Sequence, residues 1–288
     1  MNMNNALKLT CAGIAGGFIL RLVTMLYFYD YETGFFTDNG LLAWATIIFI
    51  AVIWIFSIVC CFKDKEYFTG SYSPGRNIFS GLISLLSAVS LAFMAYVQRQ
   101  QHQSLLMMQA GSINAAQTGG IHIAFILVSA LMALLQLAVS ISFFTGKDFF
   151  KSIPVVHLIG VFWGIINILF TFLYYAKSAL TTENIFMMIG AATLLFSLLY
   201  ISKTAVGLGD VAAVRRYFIM GIPAVMLNIT YNLSNLVLNL MGREYMDMGE
   251  IPFAVQTANL FVAFYILAFL FTFKSSSSPK NGDSSAST

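Results

Sequence analysis

Charge is what this sequence has least of. Only 9% of its 288 residues are Asp, Glu, Lys or Arg, against 59% that are hydrophobic. With a mean hydropathy of +0.81 the chain has too little polar surface to close a water-soluble globule of this size, so it belongs in a bilayer. Cysteine is scarce too. Cys11, Cys60 and Cys61 all fall at the expected cytoplasmic ends of their spans, where thiols stay reduced, so no disulfide framework is implied. His102, His122 and His157 lack the i, i+4 spacing and acidic company of a zinc site, so no metal is expected. Also missing are His-Glu-x-x-His, Gly-x-Ser-x-Gly, a phosphate-binding Gly-x-x-x-x-Gly-Lys and any glutamate pair within a span. No lysine sits at mid-span to carry a Schiff base, and no cofactor motif is present. An enzyme is therefore the weakest of the functional readings.

What is present is long apolar runs. Eight are long enough, at about 20 residues and 1.5 Å per residue, to cross a hydrocarbon core of roughly 30 Å. They lie near 9–29, 40–62, 77–98, 121–144, 154–176, 184–203, 217–240 and 251–273. The expected fold is all-α, a polytopic bundle of about eight transmembrane helices. Arg21 interrupts the first run and no small-residue cleavage site follows before Asp30, so this run reads as a membrane helix and not as a signal peptide.

Basic residues fix the expected orientation, because loops rich in Lys and Arg stay cytoplasmic. One set of loops and tails holds Lys8, Lys63, Lys65, Arg76, Lys147, Lys151, Lys203, Arg215, Arg216, Lys274 and Lys280, and the other only Arg99, Lys177 and Arg243. Both termini are thus expected inside. The net charge of +3 reflects this bias and gives no reason to expect a nucleic-acid surface. The Ser-rich tail 274–288 has no apolar periodicity and reads as a disordered cytoplasmic extension.

The chain carries signs of a duplication. A shift of 147 positions lays residues 13–29 on 160–176 with seven identities in seventeen, among them Gly13/Gly160, Gly17/Gly164 and Thr24/Thr171. Residues 1–150 and 151–273 are accordingly read as two four-helix repeats. Since four is even, both copies enter the membrane in the same sense, as in transporters built from parallel repeats. Gly13/Gly17 and Gly160/Gly164 each leave a bare backbone stripe, suited to close helix packing within the chain or to a homodimer face.

Asn228, Asn232, Asn235 and Asn239 recur at intervals of four, three and four within one span, and so share a helix face. An amide in hydrocarbon needs a partner, so this seam faces other helices or a wet cavity. Arg21, deep in the first span, would cost about 2.5–3.5 kcal/mol if it faced lipid at mid-bilayer. Gln256 and Asn259 sit at a similar depth on the last span. The candidate ligand site is Arg21, Asn228, Asn232, Asn235, Gln256 and Asn259, which together could hold an anion or carboxylate. The alternative is a hydrogen-bonded helix interface, with Arg21 reaching Asp30 or Glu32 or snorkelling outward.

Leu20-Arg21 followed by Asp30-Tyr31-Glu32-Thr33-Gly34-Phe35-Phe36 resembles a pattern in uncharacterised multi-pass membrane proteins of Gram-positive anaerobic bacteria. The resemblance implies a bacterial plasma membrane and no particular activity. It would make Arg21 and the loop Asp30, Glu32, Thr33 and Gly34 shared elements, with the loop as a lip over an outer cavity. Two functional classes follow: a small-solute transporter or permease subunit, or a non-catalytic scaffold or sensor partner whose polar seam fixes helix register.

Overall fold

The computed structural model describes residues 3–31, 33, 35–64, 66–68, 76–108, 115–147, 153–175, 182–205, 211–242 and 253–277. Eight helices carry them: α1 (Met3–Tyr27), α2 (Leu41–Lys63), α3 (Ile78–Met108), α4 (Ala115–Thr145), α5 (Leu158–Tyr175), α6 (Thr182–Ala205), α7 (Val211–Leu240) and α8 (Phe253–Ser277). Each contains a stretch long and apolar enough to cross a membrane. No strand occurs among the described residues. Single 3-10 turns at Glu66–Phe68 and Pro154–His157 join or precede helices.

Several helices outrun the apolar stretches that identify them. α1 begins at Met3, α7 at Val211, and α3 continues through Gln98-Arg99-Gln100-Gln101-His102 to Met108. The apolar run reports where hydrocarbon ends. The helix itself stops only where backbone propensity or a breaker stops it. α8 likewise runs on to Ser277, so residues 274–277 of the Ser-rich tail are helical, and the rest of that tail lies outside the described residues.

α7 is the hub. It packs against α1, α2, α6 and α8, and from α8 the chain of neighbours continues through α3, α4 and α5 back to α6. Burial follows this order: 72% of the apolar window of α7 and of α8 is buried, against 33% for α1, α2 and α5, whose remaining surface is left for lipid. Gly13, Gly17 and Arg21 lie beside Met226, Thr230 and Asn235, so α1 and α7 run parallel. Tyr217 donates from its hydroxyl to the Ile266 carbonyl (2.9 Å), which ties α8 to α7.

Pro223 lies inside α7 and carries no N–H, so the helical bond to the carbonyl of Ile219, four residues earlier, cannot form. The indole Nε1 of Trp54 on α2 donates to that carbonyl at 2.8 Å. A break in one helix thus becomes a contact with the next, as required where no water can satisfy the group.

Both glycine pairs are filled by the chain's own side chains. A Cβ at Gly13 would meet Ile53 and Met226, and one at Gly17 would meet Thr230 Oγ1 at 2.8 Å. At Gly164 it would lie 3.1 Å from the Cα of Leu195, whereas at Gly160 the nearest atoms are 3.6 Å away. Gly164→Ala is therefore expected to force α5 and α6 apart at a cost of about 1–2 kcal/mol. Gly160→Ala should be neutral, or stabilising by up to about 1 kcal/mol through helix propensity. Thermal unfolding of the two purified variants in detergent would check the contrast, and equal losses would contradict it.

Candidate functional site

The asparagine seam lies on the buried side of α7, with Asn228, Asn232 and Asn235 all 5% exposed or less. Asn239, one turn further, is only half-buried. Arg21 is 3% exposed, and its Nη2 donates to Asn235 Oδ1 at 3.1 Å. Its guanidinium carbon lies 4.4 Å from the centroid of the Tyr231 ring and 5.7 Å from that of Phe186. These rings are themselves nearly parallel, 6.5 Å apart and tilted by 23°. A planar cation against aromatic faces is a favourable way to hold charge away from water, and Arg suits it better than Lys.

Further down α7 the amides turn towards α6 and towards their own helix. Asn228 Nδ2 donates to the Gly190 carbonyl on α6 (3.0 Å) and to the Ala224 carbonyl (2.8 Å). Asn232 Nδ2 donates to the Asn228 carbonyl at 2.8 Å. The absence of a side chain at Gly190 permits this approach, since a Cβ there would sit 3.3 Å from Asn228 Oδ1.

Gln256 and Asn259 on α8 are each 6% exposed. Asn259 Oδ1 accepts from Asn167 Nδ2 on α5 at 3.2 Å. Of the six candidate residues, Arg21, Asn228, Asn232 and Asn235 thus cluster between α1, α6 and α7, while Asn259 on α8 pairs with Asn167 on α5. Asn167, Tyr231 and Phe186 complete these clusters and are not among the residues singled out from the sequence. A lone asparagine inside the apolar α5 segment was the available signal for the first of them.

The loop after α1 folds back on itself. Tyr29 and Phe36 form an isolated antiparallel bridge, with Asp30 N donating to the Phe35 carbonyl (3.0 Å) and Thr37 N to that of Phe28 (2.8 Å). Thr33 Oγ1 donates to Asp30 Oδ2 at 2.7 Å, and the Tyr31 hydroxyl donates to the Met25 carbonyl at 3.0 Å, tying the loop to the end of α1. Glu32 and Gly34 lie outside the described residues. The next helix is started by Asp38, whose carboxylate accepts from Gly40 N and Leu42 N, both at 2.9 Å. Gly40 takes φ = 76°, a left-handed value that favours glycine.

Chemically, these clusters offer hydrogen-bond donors and acceptors and one delocalised cation. Together with the eight apolar helices they define a class: an integral, multi-pass, all-helical membrane protein. No protein-family model, curated protein or solved structure matches the chain, so the argument for function rests on its own residues.

Proposed function

We propose that the protein is a small-solute transporter or permease subunit of the bacterial plasma membrane, with both termini cytoplasmic and a polar site that opens outward. The observation that carries this reading is the density of hydrogen-bonding groups on and beside α7: three buried asparagines within one membrane-spanning stretch, and a buried arginine on α1 bonded to one of them. Interhelical hydrogen bonds in membranes contribute on average only about 0.6 kcal/mol, so packing alone needs fewer. In this reading two four-helix repeats, 1–150 and 151–273, move against each other about the seam. Asp30 and Thr33 of the loop after α1 form a lip above it, and Arg21 anchors the solute. A homodimer through either glycine pair is not part of this reading, because the chain's own side chains fill both.

A second reading, a scaffold or sensor partner, is favoured by one observation: Asn228 already donates to Gly190 and Ala224, as an interface residue would. Thiol labelling separates the two. In full-length protein with Cys11, Cys60 and Cys61 replaced, Asn232→Cys and Asn235→Cys should react with a membrane-impermeant reagent applied from outside if the seam lines a wet cavity. Protection at both positions would overturn the transporter reading and leave the scaffold.

A further inference from the structure

At the rim of the bundle, where α2 ends and α7 begins, a cation stands against two rings. Arg215 lies two residues before the apolar run of α7, at the depth where lipid phosphates lie. Its guanidinium carbon is 5.6 Å from the centroid of the Phe62 ring on α2 and 5.8 Å from that of Phe68 in the turn that follows. Its Nε meets no hydrogen-bond partner, and no carboxylate pairs with the guanidinium, among the described residues. The Asp64 carboxylate, two residues beyond Phe62, instead accepts from Met3 N at 2.8 Å. Arg215 is only half-buried and keeps access to the surroundings of the bundle.

Two further features mark this rim. It is cationic: Lys63 and Arg216, next in sequence to Phe62 and Arg215, are exposed, and Lys203 on α6 stands level with Arg215. That level follows from register, because Asn228 meets Gly190 and Tyr231 faces Phe186, antiparallel pairs whose continuation brings residue 203 opposite residue 215. Away from the rim, Val52, Ile55, Val59 and Phe62 are exposed on α2 at intervals of three, four and three. They form an apolar stripe of about 15 Å that ends at the ring beside Arg215.

We propose that this rim binds an anionic phospholipid, with the lipid phosphate on Arg215 and one acyl chain along the α2 stripe. The cation selects the phosphate, since a guanidinium presents parallel donors to two of its oxygens while the Phe62 and Phe68 rings confine it. Lys63, Lys203 and Arg216 add the positive field that draws anionic lipid to a membrane protein. The stripe selects the source. A free phosphate gains nothing from exposed apolar side chains, whereas a lipid places its phosphate at the interface and its chain in hydrocarbon at once. This proposal depends neither on the Arg21 cluster nor on the transporter reading.

The test titrates phosphatidylglycerol onto the full chain in detergent and reads bound lipid by native mass spectrometry, with phosphatidylcholine and inorganic phosphate as further probes. Phosphatidylglycerol should bind about tenfold tighter than phosphatidylcholine, whose own ammonium offsets its phosphate. Arg215→Lys keeps the charge and removes the planar fork, so it should weaken phosphatidylglycerol about fivefold, whereas Arg216→Lys at the exposed neighbour should change it less than about twofold. Ile55→Ser interrupts the stripe without touching the cation and should cost about threefold, which keeps the proposal open to refutation if Arg215→Lys fails to fold. Millimolar inorganic phosphate should leave the lipid bound. Equal effects of the two lysine variants would overturn the proposal in favour of diffuse surface charge, and so would equal binding of the two lipids. Displacement by inorganic phosphate, or no loss in Ile55→Ser, would overturn the lipid as the source of the phosphate. None of these results bears on labelling at Asn232 and Asn235, so the two sites are judged separately.

Discussion

Replacing Arg21 with leucine should destabilise the protein by about 2–3 kcal/mol, with Arg21→Lys losing about half as much. Three terms set the estimate. A desolvated cation over an aromatic face contributes up to about 2 kcal/mol, and a hydrogen bond to a charged group about 1.5–3 kcal/mol. Against these stands the cost of burying the charge. That cost is moderated by position, because Arg21 lies six residues from the end of α1, roughly 9 Å along the helix, within the reach of a side chain that snorkels when α1 is undocked. Leucine removes the contacts with Tyr231 and Phe186 and leaves the Asn235 oxygen without the Arg21 donor. Lysine keeps the charge but has no planar group to lay against the ring faces. Thermal unfolding in detergent of Arg21→Leu, Arg21→Lys, Tyr231→Leu and the Arg21→Lys/Tyr231→Leu pair would measure both the losses and the coupling. Additive losses in the pair would show that the Tyr231 ring does not distinguish a guanidinium from an ammonium.

That cluster was half legible in the sequence. Intervals of four, three and four put the asparagines on one face whatever the neighbours, and hydrocarbon forbids that face to lipid, so a buried seam follows from periodicity alone. Which helices meet the seam does not follow. Arg21 reaches Asn235 because α1 runs parallel to α7 across the Gly13 and Gly17 stripe, and Asn259 meets Asn167 because α8 also approaches α5. These pairings join residues 214 and 92 positions apart, and no local pattern encodes them.

Hydropathy carried more than the number of spans. α2 is the most apolar helix and only 33% of its apolar stretch is buried; α7 is the least apolar and 72% of its stretch is buried. In water the order would be reversed. In a bilayer, lipid accepts apolar side chains as readily as protein does, so polar residues mark the interior of the bundle. The central place of α7 could therefore have been read from its asparagines, threonine and serine before any contact was known. The contribution of Pro223 was less visible, because a proline within a transmembrane helix signals a missing bond without naming the group that replaces it.

Trp54→Phe is expected to cost about 1.5–2 kcal/mol in the native background and much less when Pro223→Ala is also present. Most transmembrane hydrogen bonds are weak because the undocked helices find other partners for the same groups. The Ile219 carbonyl differs. Pro223 denies it the helical N–H four residues on, in the docked and undocked states alike, so the Trp54 indole at 2.8 Å supplies a bond that α7 cannot supply to itself. Its contribution should therefore sit near the top of the measured range, about 1.7 kcal/mol. Phenylalanine keeps most of the ring's packing and removes the donor. Pro223→Ala restores an N–H that can bond to Ile219, after which the indole donor is redundant and Trp54→Phe loses only packing. A double-mutant cycle over these two positions should show a coupling of about 1–1.5 kcal/mol. Coupling below about 0.3 kcal/mol, within ordinary additivity error, would mean that Trp54 holds α2 on α7 by its ring alone.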